Sequence, residues 1–513
     1  MRPNTSSLIV NKQSPKTEIF ILVLLAYLTW LIAAFCGTGD DTYWHIKVGE
    51  WILDNHRIPT TGIFSYTAAN MPWVSHEWLS AIILYAVFSV AGWPGLVLLA
   101  TLAITLAMWS MCNFLVKRIS INSCIIFVLF AYFLLTPHIM PRPHILILPI
   151  MVFWTAELIK ASENQTHPPY PLALVMVFWS NMHGSFILGI PFILYFAAES
   201  AFAIKDSALR LKELRRWLLF FLLSLSALLA NPHGIDGLLL PFKLTDQTYV
   251  IDHIVEWASP NFHGFQPLEF WLLGFIGFTL CKGLTLPPFR LIFLLGLLHL
   301  SLKYIRFATD LLPFLSPLIL ATPLSKQLNR PADFSIDSLY PKNIKHWLAI
   351  GLYLTALSFY LPARTIETKA NIHLGKLLAA LQDEKPVLGN MLNSYSLSPY
   401  LIYYDYPVFI DSRGELYGDP FIEKHFKTTS LEKGAEPLLD LIKEYNVSWT
   451  IFETNLPINA FLSQRPEWRR IYSDKFFTIY LTQSKDINER TKRELQKIKD
   501  NQPKDDAANN LPL

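Results

Sequence analysis

The stretch "CGTGDDTYWHIKVGEWILDNHRIP" runs from Cys36 to Pro59 and starts where the first long apolar run, 18–36, stops. It places two adjacent carboxylates, Asp40 and Asp41, at the mouth of a membrane-length run, with Trp44 and His45 within one helical turn. A helix starting near Asp40 puts Tyr43, Trp44, Val48, Trp51 and Ile52 roughly on one side, and Lys47, Glu50 and Asp54 on another. That pattern predicts a helix lying in the interface plane of a membrane. One Asp at its N-terminus would act as a cap, meeting free N–H groups and the positive end of the dipole. A cap needs one carboxylate, and here there are two. The functional alternative is a general base at the water–lipid boundary, which takes a proton from an acceptor attacking a lipid-carried substrate. Asp41 and His45 also stand at i,i+4 spacing, which could hold a divalent cation. Mg²⁺ or Mn²⁺ would prefer oxygen ligands, and no other cofactor is indicated.

The chain around this stretch is apolar. Of 513 residues, 52% are hydrophobic and only 16% charged, with a mean hydropathy of +0.32; soluble domains carry roughly 25% charge. Eleven runs read as candidate spans: 18–36, 76–91, 94–116, 122–136, 145–160, 171–200, 215–230, 267–282, 287–302, 305–321 and 346–361. The expectation is an α-helical polytopic membrane protein, because unpaired backbone cannot sit in lipid. Run 171–200 is overlong and carries Asn181, His183 and Gly184 in its middle, so it is one broken helix or two half-spans. The four cysteines (Cys36, Cys112, Cys124, Cys281) lie in or beside apolar runs, without disulfide or zinc spacing. A net charge of +3 argues against nucleic acid as a partner. The first run shows no small-residue cleavage site and reads as a retained span.

Lys and Arg set the expected orientation. Arg2, Lys12 and Lys16, then the cluster Lys205–Arg216, then Lys326, Arg330, Lys342 and Lys345 all fall on the cytoplasmic side. The loops 37–75 and 231–266 then face outward, and Lys117 and Arg118 dissent. Three domains are expected: a transmembrane domain over 1–365 with external loop 37–75, an extracytoplasmic α/β domain over 366–485, and a charged tail over 486–513 that reads as a frayed helix followed by disorder. In the second, "KPVLGN", "YPVFIDSR", "VSWTIFE" and "FFTIYL" read as strands of a largely parallel sheet, and "EPLLDLIKEYN" as a helix.

The acidic pair after the first span, the aromatic-rich helix and the following "RIPTTGIFSYT" resemble the membrane glycosyltransferases of the GT-C type. These include protein mannosyltransferases and bacterial lipid-linked sugar transferases. "WHIKVGEWIL" is similar to a poorly characterised bacterial branch, and Asp-Asp stands where members often carry Asp-Glu. The resemblance implies an Asp in the first external loop as the catalytic base, which is Asp40 or Asp41 here. It also implies a polyprenyl-phosphate or -diphosphate sugar donor, about eleven spans, a cytoplasmic N-terminus and an external C-terminal domain.

Other constellations could serve that chemistry. The frame Asn-x-His-Gly recurs at 181–184, 231–234 and 261–264, with His183, His233 and His263. Asn and Gly end helices; the histidines could also donate to a phosphate or hold a metal. "LHLSLKYIRFATD" joins two spans on the external side, where Arg306, with Lys303, could meet a lipid phosphate through a guanidinium fork or simply snorkel. Glu77 and Glu256 could orient an acceptor or a metal, or be ordinary loop carboxylates. In "VFIDSRGELYGD", Asp411 and Arg413 stand at a strand's C-terminal end, as a ligand site or a turn-stabilising ion pair.

The reading is an inverting transferase on the outer face of a bacterial inner membrane. It passes a sugar from a polyprenyl-linked donor to an envelope glycan, lipid or protein acceptor. The rivals are a transporter or flippase of lipid-linked intermediates, for which no inverted repeat is visible, and a non-catalytic envelope-assembly scaffold.

Overall fold

The computed structural model describes residues 23–30, 40–328 and 369–501. The expected span 346–361 and most of 18–36 lie outside them, as do Arg2, Lys12, Lys16, Arg330, Lys342 and Lys345. The described chain forms two compact units, one from residues 23–30, 87–241 and 253–328, the other from 40–86, 242–252 and 369–501. Their composition differs from the expected boundary at 365/366: the loop after the first apolar run shares a unit with the C-terminal residues.

The first unit is helical. Helices Ile121–Leu135, Pro143–Glu163, Pro267–Lys282 and Pro288–Lys303 fall where the apolar runs predict them. Trp78–Leu115 covers two runs and breaks at Gly92 (φ 58°, ψ −154°), a conformation open to glycine, just ahead of Pro94. The overlong run takes its broken form, Val175–Met182 and Phe186–Ala203, with His183 extended between them. Run 305–321 divides as well, into Ile305–Asp310 and Leu312–Gln327. Helix Ser207–Leu228 begins eight residues before the expected 215, because the Asp206 side chain accepts from Leu209 N (2.8 Å) and caps it.

Four helices among the described residues are long and apolar enough to cross a membrane: Trp78–Leu115, Ile121–His138, Pro143–Glu163 and Phe186–Ala203. The structure supports this coarser description rather than a count of eleven. Leu98, Leu102 and Leu106 are exposed at four-residue spacing while Ala103, Ile104 and Ala107 are buried, so one face of the helix packs and the other suits lipid. Cys112 and Cys124 are buried as expected, but Cys281 is exposed. A charged network ties helix ends together: Arg290 Nε meets Glu199 at 2.6 Å, and Glu163 accepts from Arg118 (2.8 Å) and Thr322 (2.5 Å). Each charge has an opposite partner, as burial in apolar surroundings requires.

The second unit carries a four-stranded sheet: β1 (Asn390–Asn393), β2 (Val447–Glu453), β3 (Trp468–Ser473) and β4 (Phe477–Thr482), in the order β1-β2-β4-β3. Only β1 and β2 are parallel; β2–β4 and β3–β4 are antiparallel, so the largely parallel expectation is corrected. β2 and β4 are buried along nearly their whole length, including Ser448 and Thr450, which alternate with apolar residues in β2, and Thr478 in β4. "KPVLGN" splits: Pro386 starts the helical turn Lys385–Leu388, and the strand begins only after Gly389 (φ 72°). "YPVFIDSR" is no sheet strand; Val408 instead bridges in parallel to Ser65. The tail forms a helix over Glu489–Asp500, where a frayed one is expected. Asn488 caps it, Leu495 is buried, and Thr491 donates to Glu384 (2.8 Å).

Helix Asp41–Asn55 also departs from expectation. Tyr43, Val48 and Ile52, the face assigned to a membrane surface, are buried in protein. The amphipathic pattern gave the buried face, not what covers it. Gly49 allows close approach, since a Cβ there would sit 2.2 Å from the Ala81 carbonyl oxygen.

His425, on helix Asp419–Thr429, is buried with Nε2 3.0 Å from the Asn393 carbonyl. Burial pushes its pKa down to about 4, against an ordinary value of 6.5. The unfolded chain therefore takes up the proton first as pH falls. Between pH 6.5 and about 4 this group is expected to remove stability at about 1.4 kcal/mol per pH unit. Denaturant unfolding in detergent across that window checks it, and His425→Gln should flatten the slope by that amount.

Candidate functional site

In the second unit, Asp40 precedes helix Asp41–Asn55 and is exposed. Its φ and ψ are already helical, and its side chain makes no capping hydrogen bond. The capping account of Asp40 therefore does not hold. Its Oδ1 accepts instead from the Tyr400 hydroxyl at 2.5 Å. The Asp41 carboxylate accepts from Trp44 Nε1 at 3.2 Å, within its own turn.

The structure does not join the Asp41 carboxylate to His45. His45 Nδ1 lies 2.8 Å from the Asp41 backbone carbonyl, and Nε2 lies 2.8 Å from Glu77 Oε2. Both ring nitrogens therefore face oxygen atoms of the protein. Glu77 orients this ring, with His76 Nε2 3.7 Å from its other oxygen. On the outer turn Lys47 bridges Glu50 (2.5 Å) and Asp405 (2.8 Å). Burial opposes the Lys47 charge, but the two carboxylates raise its pKa.

Asp411 and Arg413 form the turn-stabilising ion pair. Arg413 Nε and Nη2 bond the two Asp411 oxygens at 2.8 and 2.6 Å, and Tyr417 adds its hydroxyl at 2.8 Å. The guanidinium carbon sits 4.5 Å from the Trp73 ring centre. Both charges are buried, so the pair closes the turn rather than facing a ligand.

In the first unit, Arg306 is half-buried, its guanidinium 4.6 Å over the Trp257 ring. Among the described residues no carboxylate lies within ion-pair distance of it. Lys303 is exposed, with Nζ 5.0 Å over the Tyr304 ring. The loop carrying Glu256 docks beside them through Ile305 N to Ala258 O (2.9 Å). Glu256 pairs with Arg142, and His138 Nε2 lies 3.6 Å away. Burial opposes its charge, but Arg142, with His138 and Arg306, holds the Glu256 carboxyl well below the usual carboxylate range.

Sequence reasoning missed four residues here: His138, Arg142, His144 and Asp310. His138 Nδ1 is 3.0 Å from Asp310 Oδ1, and the His138 and His144 rings stack at 4.8 Å. Ligand atoms of His138, His144 and Asp310 lie within 4.8 Å of one another, all buried. The signal was present. "PHIMPRPH" packs two His and an Arg between apolar helices, and Asp310 is a carboxylate inside a run read as a span.

The Asn-x-His-Gly frame is architectural in two of its copies. Asn231 Oδ1 accepts from His233 N (2.9 Å), and Asn261 Oδ1 from His263 N (3.1 Å). Asn181 and Asn231 also exchange side-chain bonds with Ala230 O (3.1 Å) and Ser180 O (3.0 Å). His183 pairs with Ser185 Oγ at 2.8 Å. The structure does not bring His183 or His233 to the Arg306 group through any of these bonds.

Archaeal oligosaccharyltransferase AglB from Archaeoglobus fulgidus, solved with an inhibitory peptide and a dolichol-phosphate, matches with a TM-score of 0.51 at 10% identity. The match covers 92% of this chain and 75% of AglB. The apo oligosaccharyltransferase of the same organism gives 0.50 at 11% identity, over 85% of this chain and 69% of its own. The chain shares the overall fold of these two oligosaccharyltransferase structures. No protein-family model matches the chain, and no curated protein does. At this identity the likeness shows the fold alone and leaves the chemistry to the residues.

Proposed function

We propose that the chain is a glycosyltransferase that takes a sugar from a polyprenyl-phosphate lipid and passes it to an envelope acceptor on the outer face of a bacterial inner membrane. The observation that carries this reading is Asp40, an exposed carboxylate at the start of a helix that it does not cap. The GT-C fold supports it, since the AglB structure holds a dolichol-phosphate. An acceptor hydroxyl attacks the anomeric carbon, the new C–O bond forms as the bond to the phosphate oxygen breaks, and Asp40 or Asp41 takes the acceptor's proton. A single displacement inverts the carbon. In this reading Arg306, with Lys303, is the group assigned to the donor phosphate, and both belong to the first unit, as do Arg142 and His138. Holding both substrates in line and surrounding the leaving phosphate with fixed charge supply the rate.

A divalent cation finds better ligands at His138, His144 and Asp310 than at Asp41 and His45. Two imidazoles with one carboxylate suit Zn²⁺ or Mn²⁺ more than Mg²⁺. Such an ion would offset charge on the donor phosphate, and it competes with the proton that His138 shares with Asp310.

The test uses the full chain in liposomes with a synthetic polyprenyl-phosphate hexose. Release of polyprenyl phosphate is followed, with water as acceptor. Turnover is expected in the parent. Its absence, or full turnover in a protein carrying both Asp40→Asn and Asp41→Asn, overturns the reading. Arg306→Ala should raise donor KM on the order of 10–100-fold, the scale of lost charge-assisted bonds. Arg306→Lys should recover only part, because a point charge lacks the planar fork. An unchanged KM in both would reduce Arg306 to a headgroup contact.

A further inference from the structure

Resting on that reading, we infer that Tyr400 is a positioning residue: it holds the Asp40 carboxylate, and Asp40 rather than Asp41 takes the acceptor's proton. The two carboxylates are adjacent in sequence but differently supported. Asp41 is bonded within one turn of its own helix, by the indole of Trp44 at 3.2 Å. Asp40 is bonded by a phenol 360 residues away, at 2.5 Å, where no capping bond explains its placement. A donor fixed at Oδ1 sets the rotation of the carboxylate about Cβ–Cγ and favours its charged form, the form a base needs.

The phenol is itself immobilised. Tyr400 is only 3% exposed, on the short helix Ser398–Tyr403, flanked by the buried Leu401 and Ile402. Its ring packs on Tyr43 at 4.4 Å, and Tyr43 packs edge-on to Tyr403 at 5.3 Å. One helix turn further, Lys47 reaches Asp405 at 2.8 Å. Contacts at 40, 43 and 47 follow i, i+3, i+7 spacing, so a single face of helix Asp41–Asn55 docks on residues 400–405. This docking brings the Tyr400 hydroxyl to Asp40 and leaves Asp41 on another face.

The step balances without a further reactant. The acceptor oxygen–carbon bond forms, the carbon–oxygen bond to phosphate breaks, and its electron pair stays on the phosphate. The proton passes from the acceptor to Asp40 and then to solvent.

Tyr400→Phe keeps the ring on Tyr43 and removes only the hydroxyl. Donor turnover in the liposome assay is expected to fall on the order of 10-fold in kcat, with donor KM within about twofold. Thermal unfolding should stay close to that of the parent. In an Asp40→Asn background the same change should cost nothing further, whereas in an Asp41→Asn background it should cost its full factor. Equal losses in both backgrounds, or a lower unfolding temperature that tracks the loss, mark Tyr400 as structural and overturn the inference. So does full turnover in Tyr400→Phe beside an inactive Asp40→Asn, a result that leaves the transferase reading intact. Full turnover in Asp40→Asn with an inactive Asp41→Asn overturns the inference and moves the base to Asp41.

Discussion

Asp40→Asn is expected to lower sugar transfer by a factor on the order of 10²–10⁴, the usual cost of losing a general base. Stability should hardly move. Asn caps helices about as well as Asp, and the Asp40 side chain makes no capping bond to lose. Even Asp40→Ala should unfold close to the parent temperature. A capping role predicts the reverse for Ala, a loss of about 1 kcal/mol with activity retained by Asn. Asp41→Asn should have the smaller effect on turnover, because the indole that bonds its carboxylate belongs to the same helical turn, whereas the phenol on Asp40 comes from 360 residues away. Turnover and thermal unfolding of the three variants, measured side by side in detergent and liposomes, separate the two accounts.

Arg413→Ala should destabilise the fold by roughly 3–5 kcal/mol, the cost of breaking a buried ion pair from one side. It removes a guanidinium that bonds both oxygens of Asp411 and stacks by Trp73, and it strands a carboxylate that is 0% exposed. Arg413→Lys should recover little, because one ammonium cannot reproduce the paired geometry or the stacking. Replacing both charges with apolar residues of similar volume should return much of the loss. Denaturant unfolding of the detergent-solubilised chain measures all three. A shift under about 1 kcal/mol in Arg413→Ala would mean that water reaches the site.

Helix-rich architecture was legible because apolar runs of membrane length have few other uses. Breaks were legible where chemistry forces them, at Gly92-Trp93-Pro94 and at Asn181-Met182-His183. The sheet was legible at β2 and β4, which are rich in β-branched and aromatic residues. It was not legible at β3, "WRRIYS", where paired arginines mask an edge strand. The tail helix was legible, but not its docking: Glu489–Asp500 is almost wholly polar, and the contacts are a buried leucine and threonine with a capping asparagine. The acidic pair was legible through proximity in sequence, yet what distinguishes Asp40 from Asp41 is a tyrosine 360 residues downstream. No spacing rule reaches that far. Asp310 is a lone carboxylate four residues after Arg306, and its histidine partner lies 172 residues earlier in the chain. Local pattern therefore marks the cations of that stretch and passes over the anion.

The unit that holds Asp40 is assembled from both ends of the chain, and this imposes an order in time. A ribosome adding about 5–20 residues per second needs on the order of 20–70 s to travel the 360 residues from Asp40 to Tyr400. Through that interval Tyr43 lacks the rings that cover it, and Trp73 lacks the guanidinium that stacks beside it. A chain that stops early therefore presents an unsheltered aromatic loop and an unheld carboxylate. Incomplete products are therefore expected to be open to proteases.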